Sequence, residues 1–462
     1  MNFISTRGQA PRATFSEALL SGLAPDGGLY MPDAWPRVDV AGGSYRDAAF
    51  AVLRAFADFD DAALKADIAS AYATFDDPHI APLAEIGEGR YLLELFHGPT
   101  LAFKDIAMQL LGRLFARALA QRGGRATVLA ATSGDTGSAA IAALGGLPDI
   151  ELFVLHPKGR VSEVQRRQMT TSTHANIHNI ALEGSFDDAQ AIVKALFADE
   201  AFARKTQLTA VNSINFARIA AQSVYYFTAT AALGRAATFV VPTGNFGDVF
   251  AGEAAMRMGL DVERLVVATN ANDIVARALN DGLYEAGRAE QTLSPSMDIQ
   301  VASNFERALF EASGRDDAFV RDAMAERRLV LPAAVRTALA ARYEAHAVGD
   351  AQTLATLAQV HKATGRLIDP HTAVAVAAAE RIGERGAGRT AGPSAHQKTG
   401  PVVILSTAHP AKFPDAVARA TGQIPPLPPG LSGLHQKREN FTVLSPDLGL
   451  VRSFIAARVP AS

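Results

Sequence analysis

What most constrains this chain is an alternation. From about residue 91 onward, short and continuously apolar runs separate Ala-rich stretches of helical periodicity. The apolar runs are YLLELF (91–96), ATVLAAT (126–132), IELFVLH (150–156), IHNIAL (177–182), ATFVVPT (237–243), RLVVATN (264–270) and PVVILST (401–407). A strand that is apolar throughout has no face to offer water, so it must be covered on both sides, and strands separated by helices pair in parallel. The predicted class is therefore α/β. The segment before this pattern has a different texture. An extended start, a Gly/Pro-rich turn at APDGGLYMP (24–32) and helical periodicity over 45–75 predict a small, mostly helical domain. The expected division is 1–90 for that domain, 91–235 for a smaller α/β lobe, and 236–462 for a larger lobe with a C-terminal tail. The stretches GERGAGRTAGPSAHQKTG (383–400) and TGQIPPLPPGLSGL (421–434) read as surface loops.

Composition removes several function classes. The 44 Lys plus Arg against 47 Asp plus Glu give a net charge of −3 over 462 residues, which argues against an electrostatic nucleic-acid binder. No run of about 18 apolar residues predicts a membrane span, and the start MNFISTRGQAPRATFSEALL lacks a secretory pattern, so a cytoplasmic protein is expected. The chain has no cysteine, which removes thiolate metal sites and thiol nucleophiles together. His174 and His178 have the spacing of a zinc pair, but no third ligand accompanies them, and no metal site is predicted. Lysine is scarce beside arginine, so each lysine repays individual reading. Lys158 and Lys412 follow His-Pro motifs in loops, whereas Lys104 lies just inside a helix.

In an open parallel sheet, ligands bind beyond the carboxyl ends of the strands, where glycine-rich turns open helices whose free N–H groups favour anions. Three strand ends carry such loops. In VVPTGNFGDVFAGEAAM the glycines of Gly244-Asn245-Phe246-Gly247-Asp248 allow backbone amides to converge on a phosphate; an ordinary strand-to-helix turn is the alternative. In ATSGDTGSAA, Thr132, Ser133 and Thr136 offer hydroxyls beside open amides, with Asp135 among them as ligand group or helix cap. In FHGPTLAFKDIAMQ, Lys104 is flanked by Leu101, Ala102, Phe103, Ile106 and Ala107. Desolvation there would lower its pKa and make it an amine nucleophile, unless the side chain snorkels to the surface. A desolvated lysine, a phosphate loop and a hydroxyl loop at neighbouring strand ends form the set that pyridoxal phosphate requires.

Beyond these loops, the order FHGPTLAFKD, TSGDTGSAA, HPKGRVSEVQRRQM, EGSFDDAQ, NSINFARI, TGNFGD and STAHPAKF, with an N-terminal STRG and FSEALLSGLAPDGGLYMP, resembles the shorter bacterial and fungal branch of the threonine synthase family. The resemblance runs from about residue 3 to 415. It implies the fold of the type II pyridoxal-phosphate enzymes and conversion of O-phospho-L-homoserine and water to L-threonine and phosphate. It further implies that Lys104 carries the cofactor and acts as base at Cα and then Cβ of the substrate. Gly244, Asn245, Phe246, Gly247 and Asp248 would hold the cofactor phosphate, and Thr407 would set a hydroxyl against the pyridine nitrogen. Asp135 would stand beside the cofactor's 3-oxygen, where two negative charges would repel unless one group holds a proton. The substrate's own phosphate needs a second anion site. Candidates are Thr100, the 132–136 loop, which also suits the α-carboxylate, and Asn212, Ser213, Asn215 and Arg218 in NSINFARI. Arg218 is the favoured phosphate contact, and a helix-surface arginine is its alternative. The family's shorter branch points to a monomer. The rivals are another type II pyridoxal-phosphate lyase, a cofactor-binding protein without turnover, and a dehydrogenase, which the missing GxGxxG argues against.

Overall fold

The computed structural model describes residues 1–40, 42–87, 89–382 and 400–459. Two sheets carry the architecture. The larger has six strands in the order Tyr343–Ala347, Arg264–Thr269, Thr238–Pro242, Val402–Ser406, Arg90–Glu94 and Leu83–Gly87. All neighbours pair in parallel except the last two, which form an antiparallel hairpin. The smaller has five parallel strands, Thr442–Leu444, Ile177–Leu182, Ile150–Pro157, Ala126–Ala131 and Leu208–Thr209. The continuously apolar runs are the central strands of both sheets, and Thr238–Pro242 is buried at every position. The edge strands Leu83–Gly87, Tyr343–Ala347, Leu208–Thr209 and Thr442–Leu444 were not expected. Leu208–Thr209 and Thr442–Leu444 are very short, Tyr343–Ala347 alternates polar and apolar residues, and Leu83–Gly87 is only partly buried, because an edge strand need not be apolar on both faces.

The strands are not shared out by the contiguous boundaries expected at 91 and 236. Arg90–Glu94 pairs with Val402–Ser406 in the larger sheet, while the C-terminal Thr442–Leu444 crosses back to extend the smaller one beside Ile177–Leu182. Apolar periodicity marks a segment as a strand but carries no information about its neighbour. Helix Leu448–Ala456 then buries Val451 and Ile455 against the helix side of the smaller sheet, in a cluster with Phe153, Ile180 and Leu196.

Between the sheets run two long, largely buried helices, Lys104–Arg122 and Phe216–Leu233. Close approach is built in at Gly112, where an added Cβ would stand 2.7 Å from the carbonyl oxygen of Ala143 in helix Asp135–Leu144. The N-terminal region has the helices expected over 45–75, Tyr45–Arg54 and Asp61–Tyr72, and adds one that was not expected, Phe15–Ser21, and a small hairpin of Phe3–Ser5 with Tyr30–Pro32. Capping boxes at Thr14/Glu17 and Ser44/Asp47 start the first two helices. This region shares the main core. Phe3 and Phe56 pack edge-on against Phe216 at 5.0 and 5.2 Å, and Asn215 Nδ2 donates to the Leu19 carbonyl at 2.8 Å. The Pro-rich 421–434 segment is coil with a short 3-10 turn at Pro429–Leu431, mostly exposed. The loop expected at 383–400 lies, apart from Gly400, outside the described residues. Among the described residues no helix is long and apolar enough to cross a membrane.

Candidate active site

The three loops singled out above lie at the carboxyl ends of their strands, two on the larger sheet and one on the smaller, and the chain brings them together across the cleft between the sheets. The turn before Lys104 is stitched to the segment that follows Val402–Ser406. Phe103 N donates to the Thr407 carbonyl at 2.8 Å, His409 N donates to the Leu101 carbonyl at 3.0 Å, and Ala102 bridges Ala408. Leu101 takes a φ of 61° to make this turn. Lys104 is the first residue of its helix and is 9% exposed, so it does not snorkel. Its Nζ lies 3.3 Å from Asp135 Oδ2 and 3.4 Å from Ser296 Oγ. Burial pushes the amine below the ordinary lysine value. Asp135 opposes that shift, while the nearby cations Lys412 and Arg218 add to it.

Asp135 opens helix Asp135–Leu144 and is the hub of the site. It accepts Lys412 Nζ at 2.7 Å and Gln165 Nε2 at 2.8 Å on Oδ1, and Ser296 Oγ at 3.1 Å on Oδ2 beside Lys104. Burial alone would raise its pKa, but the ammonium groups of Lys412 and Lys104 overcome this and hold the carboxyl well below the usual range.

The glycine loop after Thr238–Pro242 leads into helix Gly247–Arg257 with no side chain capping its amides, and Phe246 adopts a φ of 64°. First-turn amides of a helix have no partner within it, so this end is open to an anion. The side chains of Phe246 and Asp248 point elsewhere. Phe246 packs between the rings of Phe305 and Tyr343, each at 5.2 Å, and Asp248 accepts the Tyr225 hydroxyl and is pushed up to about 7 by burial. Only their backbone can serve a phosphate. The Asn245 carbonyl is tied to Asn304 N at 3.0 Å. Gly244 is indispensable to the packing, because a Cβ there would lie 2.7 Å from the Ser296 carbonyl oxygen.

The other expected contacts divide into two groups. Thr407 is buried beside the Lys104 turn, and Ser133 and Thr136 are half-buried on the Asp135 loop. Arg218 is 3% exposed, which removes the helix-surface alternative; among the described residues its Nε has no partner, and its one hydrogen bond, from Nη1 to the Val211 carbonyl, is 3.5 Å long. Burial pushes it down to about 10. The second group is committed to structure. Thr100 donates its hydroxyl to Asp105 Oδ1 at 2.7 Å and its amide to Oδ2 at 2.8 Å. Thr132 Oγ1 accepts the amides of Gly134 and Gly137, both at 2.9 Å, which shapes the loop. Asn215 caps helix Phe216–Leu233 with its Oδ1 while its Nδ2 holds Leu19. Asn212 is exposed and closes its own turn onto Ile214 N, and the Ser213 carbonyl accepts from Asn304 Nδ2. Short polar side chains in a loop look alike in sequence whether they face a ligand or satisfy the backbone.

Sequence reasoning missed Lys412, Gln165, Ser296 and the buried pair Asp369–His371, in which His371 Nε2 accepts from Ser296 N at 3.2 Å. Lys412 and Gln165 lie within quoted motifs, and that was the available signal. His178 is occupied with Glu151 at 2.8 Å and stacks on Phe153, so it forms no pair with His174. Among the described residues no group of three or more metal-binding side chains could hold an ion.

Three family models match the chain: threonine synthase N terminus over residues 2–72, pyridoxal-phosphate dependent enzyme over 80–392, and threonine synthase, C-terminal, over 372–455. The threonine synthase of Pseudomonas aeruginosa is 47% identical over 472 residues, covering 99% of this chain and 98% of its own. The chain belongs to the threonine synthase family. Among solved threonine synthases, the pyridoxal-phosphate-bound structure from Brucella melitensis is 47% identical with a TM-score of 0.93 and covers 100% of both chains. The yeast threonine synthase is 36% identical with a TM-score of 0.91, covering 99% of this chain and 98% of that one. Both structures align along nearly the whole of this chain, including the N-terminal and C-terminal regions that the threonine synthase models match.

Proposed function

We propose that this chain is a pyridoxal-phosphate-dependent lyase that converts O-phospho-L-homoserine and water to L-threonine and phosphate. The observation that carries this is the end-to-end family match combined with a desolvated Lys104 and an uncapped helix N-terminus following strands of the same sheet. The residues fit the cofactor on their own terms. A buried amine of lowered basicity suits an aldehyde, and the glycine loop leaves backbone amides without Cβ atoms in front of them. Bound pyridoxal phosphate supplies an electron sink for the substrate's α-carbon.

In this assignment Lys104 holds the cofactor through its amine, and the backbone from Gly244 to Asp248 holds its phosphate. Thr407 offers a neutral hydroxyl to the ring nitrogen. The Lys104 amine would serve as the base toward Cα and then Cβ of the substrate, a role its lowered pKa favours because more of the amine is unprotonated near neutral pH. Loss of phosphate from Cγ, protonation of that carbon, addition of water at Cβ and return of a proton to Cα complete the balance. Ser133, Thr136 and the first amides of helix Asp135–Leu144 face the α-carboxylate, and Arg218 takes the departing phosphate.

With O-phospho-L-homoserine as substrate, threonine and inorganic phosphate should appear in equal amounts. If 2-oxobutanoate is the main product, the chain is a dehydratase-type lyase and the proposal falls. A second expectation concerns the phosphate cradle. Gly244→Ala forces a Cβ against the backbone of Ser296 and Met297. An overpacking cost of about 1–3 kcal/mol should weaken cofactor retention by roughly 5- to 150-fold. Titrating pyridoxal phosphate into the stripped variant and following visible absorbance measures it.

A further inference from the structure

Asp135 is shared by two ammonium groups, and only one of them belongs to the assignment above. The other, Lys412, sits on the short turn Pro410–Lys412 and is 0% exposed. It donates 2.7 Å to Asp135 Oδ1 and 2.7 Å to the carbonyl of Thr100. Both oxygens belong to segments that fix Lys104: Thr100 begins the turn that delivers it, and Asp135 faces its Nζ. A buried ammonium group is costly unless it is paired and hydrogen-bonded, and Lys412 has both a carboxylate and a carbonyl as partners.

The geometry at Asp135 is unequal. Lys412 holds the nearer contact at 2.7 Å, and Lys104 the longer one at 3.3 Å. The other charged groups around Lys104 are Arg218, from helix Phe216–Leu233, and Asp248, from helix Gly247–Arg257. Asp105 lies behind Lys412 on the helix that Lys104 opens, and burial pushes it up to about 6. His371 reaches the cluster through Ser296. Asp135 is the carboxylate in ion-pair contact with both ammonium groups, and Lys412 holds the nearer of the two contacts.

We propose that Lys412 is a positioning residue for Lys104. By keeping the shared carboxylate on its own ammonium and setting its positive charge against Lys104, it leaves the Lys104 amine available to bond and to take up protons. This rests on Lys104 being the cofactor-bearing amine.

The test is a pH titration of the visible absorbance of the pyridoxal-phosphate-loaded protein, with borohydride trapping to place the bond at Lys104. Lys412→Gln, which keeps a donor for both oxygens but removes the charge, should raise the titration midpoint by about one pH unit. Asp135→Asn should lower it by about the same amount, and Lys412→Arg should stay within a few tenths of the wild type. If Lys412→Gln does not fold, the double variant Lys412→Met/Asp135→Asn removes both buried charges together and must titrate above Asp135→Asn alone. An unmoved midpoint in Lys412→Gln, shifts of the same sign in Lys412→Gln and Asp135→Asn, or a double variant equal to Asp135→Asn would each overturn the proposal. A wild-type protein with no trappable bond at Lys104 would instead overturn the functional assignment beneath it.

Discussion

Lys104→Ala is expected to lose turnover of O-phospho-L-homoserine by at least about 10³-fold, since one side chain supplies both the covalent anchor and the proton transfers. The same substitution should leave the fold intact. Asp135 keeps Lys412 at 2.7 Å, Gln165 at 2.8 Å and Ser296 at 3.1 Å, so no carboxylate oxygen is stranded when the amine is removed. The helix that Lys104 opens starts without a side-chain cap and loses none. Phosphate release assayed beside thermal unfolding separates the two effects. Turnover within about tenfold of the wild type would show that Lys104 is not the acting base.

Arg218→Met is expected to lower kcat/KM for O-phospho-L-homoserine by about 10²-fold or more, the effect of truncating one partner of a buried charge pair. Its stability should move the other way. In the protein alone Arg218 is a buried cation whose Nε has no partner among the described residues and whose one hydrogen bond is long. Such a group costs stability until an anion arrives, so replacing it with an apolar side chain of similar length should hold or raise the melting temperature. A guanidinium that merely held the fold would give the opposite sign. Measuring kinetics, cofactor retention and thermal unfolding together also identifies which anion Arg218 serves. Weaker substrate with unchanged cofactor retention assigns it to the substrate phosphate; the reverse assigns it to the cofactor.

Much of this was legible in sequence because the informative signals are local. Continuous apolar runs identified the central strands of both sheets to within a residue or two, as with Ile177–Leu182 and Arg264–Thr269. The loops that follow these strands were legible for the same reason, since a glycine pair or a flanked lysine is visible within ten residues. The hydroxyl-bearing residues were less so. Thr100 and Asn215 have the composition of ligand contacts, yet their polar atoms satisfy Asp105, Ala217 and Leu19. Nothing nearby in the chain distinguishes those fates, because the deciding partner of Asn215 lies in the N-terminal helix Phe15–Ser21.

The sequence by itself determined the class, the strand-end loops and the family, and singled out Lys104 as the candidate amine, because each is written in periodicity or in a short motif. Only the tertiary structure decided which strands are neighbours, so that Arg90–Glu94 joins the larger sheet and Thr442–Leu444 the smaller. It also decided which charged groups meet in the site. Lys412 reads as a loop lysine until the fold buries it against Thr100, 312 positions earlier, and against Asp135. Ionisation depends on distance and desolvation, and neither quantity exists until distant segments of the chain have met.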